Sequence, residues 1–123
     1  MNTYRVIVFE KRHRWLPELR RQWQGQPVEV HGCRTVEDMD LTSRGEGRSP
    51  LVVLDFDSDP VSCLLFLGRH ARDRLECSTL ILVSSETSEL QWALRELGVD
   101  SVLDSRKDGM EVARSCWRLM TQP

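Results

Sequence analysis

The sequence lacks an apolar run long enough to span a bilayer and lacks a secretory pattern at its amino terminus, so a cytoplasmic location is the expectation. It also lacks an excess of either charge. Seventeen basic side chains against nineteen acidic ones leave a formal charge of -2, which gives no general attraction to nucleic acid or to an anionic membrane, and neither is expected as a partner. The four cysteines, Cys33, Cys63, Cys77 and Cys116, form no C-x-x-C pair. Zinc-finger and dithiol readings therefore have no spacing to rest on, and reduced, mostly buried thiols are expected. His13, His31 and His70 are scattered and make no i, i+4 ligand pair. There is no P-loop, no G-x-G-x-x-G, no nucleophile elbow and no metalloprotease helix. Hydrolytic and cofactor-dependent enzymes have no support, and a non-enzymatic role is expected.

What is present is organised around one stretch. Leu51-Val52-Val53-Leu54 is apolar at every position and ends abruptly in Asp55-Phe56-Asp57-Ser58-Asp59-Pro60. A run without alternation belongs to a strand covered on both faces, as in the middle of a parallel sheet. Asp55 then stands at the carboxyl end of that strand, where open α/β sheets bind their ligands.

The rest of the chain repeats the arrangement. Tyr4 to Phe9 reads as a first strand, closed by Glu10. A helix is expected from about Trp15, striped by Leu16, Leu19 and Trp23 and ended at Gly25, with both tryptophans turned inward. Val28 to His31 suits a short strand at or near an edge, and Thr35 offers an N-cap to a weaker helix, with Asp38 at capping-box distance. Thr42 to Ser49 holds two glycines and no apolar side chain, and is expected to be a mobile loop.

After Asp55, Ser58 or Asp59 can cap a helix beginning at Pro60, whose buried side is read as Leu64, Leu65, Leu67 and Leu75. Thr79 to Val83 is a second unbroken apolar run, and Ser84-Ser85 closes it. Ser88 with Gln91 opens a helix striped by Leu90, Ala93, Leu94 and Leu97 and stopped by Gly98. Ser101 to Asp104 is a short last strand, and Val112, Ala113, Cys116, Trp117 and Met120 stripe a last helix. Five strand-helix units in one 123-residue domain predict a parallel sheet with helices on both faces.

With Glu10, Asp55 and Ser84 brought together at the strand ends, the pattern resembles the receiver domain of two-component response regulators along the whole chain. The resemblance implies a flavodoxin-like (βα)5 three-layer sandwich with strand order 2-1-3-4-5. It places Asp55 at the phosphoacceptor position and Ser84 at the Ser/Thr switch position. Gly98-Val99-Asp100-Ser101 matches the turn into the fifth strand.

Receivers place two acids after the first strand to hold Mg²⁺, because a carboxylate attacks a phosphoryl group only when a hard cation offsets the combined negative charge. Here Phe9-Glu10 stands in place of that pair, and Ser105 stands where a receiver has its phosphate-holding lysine. Arg106 is the substitute cation that a shifted register would bring in, and Glu10, Asp55 and Asp57, the last through its carbonyl, are the ligands left for a magnesium ion. Val102 occupies the aromatic switch position, and Pro60 comes one residue late.

The departures fall on function while the apolar frame is kept. The reading is a degenerate receiver that requires no cofactor and works by docking to signalling proteins: a kinase, a phosphotransfer protein or an output domain. The alternative is a working Mg²⁺-dependent phosphoacceptor that takes a phosphoryl group on Asp55. A third reading, a flavodoxin-like binder of nucleotide or flavin, lacks a glycine-rich loop after Val8. Pairing of two copies is expected through the fourth helix, fifth strand and fifth helix. The basic segment Lys11-Arg12-His13-Arg14 reads as a solvated face.

Overall fold

The unbroken aliphatic runs form the middle of a five-stranded parallel sheet in the computed structural model, which describes residues 3–43, 48–73, 75–84 and 88–122. In chain order the elements are β1 (Tyr4–Phe9), α1 (Trp15–Gln22), β2 (Val28–Cys33), α2 (Val36–Ser43), β3 (Leu51–Asp55), α3 (Pro60–Asp73), β4 (Ser78–Val83), α4 (Ser88–Glu96), β5 (Ser101–Asp104) and α5 (Gly109–Thr121). One 3-10 turn, Phe56–Ser58, joins β3 to α3. The strand order is β2-β1-β3-β4-β5, so the order in which strands are added reverses at β1 and the β1–β3 pair lies at the switch point. Among the described residues no helix is long and apolar enough to cross a membrane.

Alternate side chains of each strand feed two cores. Val6, Val8, Val53, Leu80 and Leu82 pack against Trp15, Leu16 and Leu19 of α1 and Val112, Ala113 and Cys116 of α5. Ile7, Phe9, Val52, Leu54 and Ile81 pack against Met39 of α2, Cys63, Phe66 and Leu67 of α3, and Leu94 of α4. Both Trp15 and Trp23 are buried. The thiols are free, with Cys33, Cys63 and Cys116 buried, and burial pushes those of Cys63 and Cys116 up to about 12.

Local signals account for the helix ends. Thr35 accepts from the Asp38 N–H at 3.1 Å, and Asp59 accepts from the Ser62 N–H at 3.1 Å, each capping the helix that follows. Gly98 takes φ +92° where α4 turns into β5, a conformation open to glycine. Beyond it Asp100 Oδ2 accepts from the N–H of the fully buried Thr79 at 2.7 Å, which ties the start of β4 to that turn.

Four expectations shift. β2 runs two residues past His31, to Cys33. Thr42 and Ser43 belong to α2 rather than to a loop, while positions 44–47 lie outside the described residues, as does the side chain of Ser88. Ala93 is exposed, and Leu94 alone of its stripe is fully buried. The largest change is in α3, where the buried side is Cys63, Phe66 and Leu67, while Leu64 and Leu65 turn outward. The three- and four-residue steps that begin at Cys63 reach Phe66, Leu67 and His70, and they set the phase of the helix on the sheet.

Candidate functional site

The carboxyl ends of β1, β3, β4 and β5 open onto a cavity of about 590 Å³ lined by Lys11, Arg12, Arg14, Asp55, Asp57, Ser58, Ser84, Ser105 and Arg106. Five of the residues singled out in the sequence therefore share one cavity: Asp55, Asp57, Ser84, Ser105 and Arg106. Glu10 is not among its lining residues and is only 1% exposed.

The Glu10 carboxylate is turned toward α1. Its Oε1 accepts from the backbone N–H of Arg14 at 3.1 Å and of Trp15 at 3.0 Å, and its Oε2 accepts from the N–H of Leu16 at 2.9 Å. Arg14, the residue at the N-cap position, makes no capping bond with its own side chain. Glu10 does that work from four residues upstream. The first N–H groups of a helix have no partner inside it, and a carboxylate there also answers the positive end of the helix dipole.

Arg14 in turn reaches across the cavity. Its guanidinium donates to the Ser105 carbonyl at 2.8 Å and lies over the Trp15 ring at 4.6 Å. Ser105 is buried and donates its N–H to the Val83 carbonyl at 2.9 Å. Ser105, expected at the lysine position, is thus a small buried residue whose backbone carbonyl holds a cation from another element. Arg106 lines the cavity, but its guanidinium grips Asp104 at 2.7 Å, and its own N–H is held by Asp104 Oδ1 at 2.8 Å.

Asp55 is half-buried at the end of β3. Burial pushes its pKa upward, the nearby carboxylates of Glu10 and Asp57 push it the same way, and Arg14 offsets part of the rise. Asp57 uses its carboxylate to accept the Ser84 N–H at 2.8 Å, which joins the turn after β3 to the end of β4. Lys11 is also engaged, donating its N–H to Ser58 Oγ at 2.6 Å and its ammonium to the Arg34 carbonyl at 2.7 Å.

Arg14 is hidden in the sequence, where the basic segment reads as a solvated face. The signal was topological: the loop leaving β1 lies at the same edge as the loops leaving β3 and β5, so a long cation four residues past Glu10 reaches both.

The acids do not fit a magnesium ion as they stand. Mg²⁺ needs near-octahedral oxygen ligands, whereas Glu10 has both oxygens bonded to α1, which leaves only Asp55 and the Asp57 carbonyl of the expected set. Among the described residues no group of three or more acids, histidines or cysteines could hold a metal.

No protein-family model and no curated protein matches the sequence. Solved structures do match. The chain is similar to a response regulator from Thermotoga maritima at 12% identity, with TM-score 0.80 and coverage of 98% of this chain and 99% of that one. It is similar to the non-phosphorylated HemR receiver domain from Leptospira biflexa at 14% identity, TM-score 0.80 and coverage of 98% and 97%. It is similar to the receiver domain of a Francisella response regulator at 12% identity, TM-score 0.80 and coverage of 96% and 97%. Identities this low speak for the fold. Five parallel strands in the order 2-1-3-4-5, helices on both faces and an aspartate closing the central strand give this chain the flavodoxin-like fold of response-regulator receiver domains.

Proposed function

We propose that the chain is a receiver-type signalling module that acts by docking to other signalling proteins, with phosphoacceptance at Asp55 weakened or lost. The observation that carries this reading is the engagement of Glu10. In a receiver the acid after the first strand faces the phosphoacceptor and holds the metal. Here that acid is bonded to three backbone N–H groups of α1, two of them buried, and freeing it would leave those donors unsatisfied. The remaining charges support the same reading. Burial and neighbouring acids disfavour the ionised form of Asp55 that would attack phosphorus, and Arg14 is anchored to the Ser105 carbonyl.

The reading is tested by incubating the protein with Mg²⁺ and a small-molecule phosphodonor, then measuring its intact mass. An unshifted mass is expected. A phosphoryl adduct that disappears in Asp55→Asn would establish the second reading, a working phosphoacceptor. One observation favours that second reading: Asp55 reaches a cavity whose wall also carries Lys11, Arg12 and Arg14, enough positive charge to receive a phosphoryl group.

A further inference from the structure

Six large apolar side chains are exposed among the described residues, and three of them lie on α3: Val61 at 66%, Leu64 at 42% and Leu65 at 52%. At 3.6 residues per turn they share one face with Gly68 and Arg72, opposite the Cys63, Phe66 and Leu67 that pack on the sheet. Among the described residues nothing requires a glycine at position 68. A methyl group there would meet nothing within 4 Å beyond its own stretch of helix, and glycine inside a helix costs about 1 kcal/mol relative to alanine. Its position is explained if another backbone or side chain comes down on it from outside.

We infer that the outer face of α3 pairs with the same face of a second copy of this chain, the two helices running antiparallel about an axis between Leu64 and Leu65. In that register Leu64 meets Leu65 of the second copy, and Val61 settles over Gly68 of the second copy. The helix ends are complementary in charge. Arg72 comes toward the Asp57–Asp59 turn of the second copy. Arg72 is 71% exposed and touches its own neighbour Asp73 at 3.2 Å, a surface contact that a further carboxylate can share. A parallel arrangement would instead set arginines beside arginines and acids beside acids. The same antiparallel operation makes every contact twice, as a two-fold interface requires.

This surface differs from the one formed by α4, β5 and α5. There Trp92 is 67% exposed, but Trp117 packs edge-on against Tyr4 with ring centres 5.4 Å apart. The α3 patch is small, so the dimer is expected to be weak, with a dissociation constant in about the micromolar range or above.

The test has two arms. Sedimentation equilibrium of the chain from about ten to several hundred micromolar should show a mass rising from 14.3 kDa toward twice that value, and Leu65→Glu should weaken the association at least about tenfold. In the second arm, the double variant Val61→Cys with Gly68→Cys should form a reducible covalent dimer on mild oxidation. Those positions lie about 10 Å apart along one helix, too far to bridge within a chain. A Trp92→Cys variant and the parent chain, with its own free cysteines, serve as controls and should cross-link much less. A chain that stays at 14.3 kDa throughout overturns the inference and leaves the face to a different protein. A dimer that survives Leu65→Glu, or that cross-links best through Trp92→Cys, overturns it as well.

Discussion

Replacing Glu10 with alanine removes the acceptor of three N–H groups at the start of α1, those of Trp15 and Leu16 within the buried interior. If all three were left unsatisfied, the loss would be about 1–3 kcal/mol for each, or 3–9 kcal/mol in total. That upper limit is not reached, because the vacated space admits water beside the half-buried Arg14 amide and the first turn can relax. The lower limit is the loss of an ordinary N-cap, about 0.5–2 kcal/mol. Between these bounds a destabilisation of about 2–4 kcal/mol is expected, which for a domain of this size lowers Tm by roughly 8–16 °C. One effect opposes it. Glu10 and Asp55 repel each other, and removing one charge relieves that, but Asp55 is half-exposed and solvent screening keeps the gain below about 1 kcal/mol. Destabilisation wins. Glu10→Gln keeps the shape and one acceptor oxygen, while its amide nitrogen faces at least one of the N–H groups as a second donor, so an intermediate loss of about 1–2 kcal/mol is expected. Urea unfolding followed by tryptophan fluorescence reads both variants, since Trp15 lies in the affected turn and Trp23 just beyond α1. If Glu10 were instead a carboxylate facing Asp55 and waiting for a cation, both substitutions would raise the midpoint. An unchanged or raised urea midpoint for Glu10→Ala would refute the capping argument.

Two further outcomes follow from the same geometry. Because the folded protein binds the Asp55 proton more tightly than the unfolded chain does, ionised Asp55 lowers stability, and the loss develops as pH rises from the ordinary aspartate value of 3.8 through the raised folded value. Asp55→Asn should therefore stabilise the protein at neutral pH by less than about 1 kcal/mol after screening, and the gain should vanish below pH 3.8, as read by urea unfolding at the two pH values. Gly98→Ala forces a side chain into φ +92° and should cost about 1–2 kcal/mol in the same assay; no change would mean that the turn between α4 and β5 relaxes freely.

The frame was legible because its signals are local and redundant. Leu51 to Leu54 and Leu80 to Val83 carry no alternation, so they could only be strands covered on both faces, and Thr35, Asp59 and Gly98 mark helix ends through chemistry that acts within a few residues. The phase of α3 was not legible. Adjacent leucines at 64 and 65 look like core in any one-dimensional reading, and contact with the sheet through Cys63, Phe66 and Leu67 decides otherwise. The engagement of Glu10 was hidden for a different reason. A cap normally sits at the first position of its helix, whereas Glu10 caps α1 from the end of β1 across Lys11, Arg12 and His13, a contact set by how the loop folds back. The bond between Arg14 and Ser105 joins residues 91 apart, and only the converging strand ends bring them together.

The central claim is that Glu10 belongs to α1 and so does not help assemble a metal site beside Asp55. Its most direct test is a Mg²⁺ titration of isotopically labelled protein, followed through the backbone amide resonances of Arg14, Trp15 and Leu16 and the side-chain carboxyl resonances of Glu10 and Asp55. The three amides and the Glu10 carboxyl are expected to stay unmoved to tens of millimolar Mg²⁺. Saturable shifts of Glu10 and Asp55 together, with the three amides moving as their acceptor leaves, would contradict it.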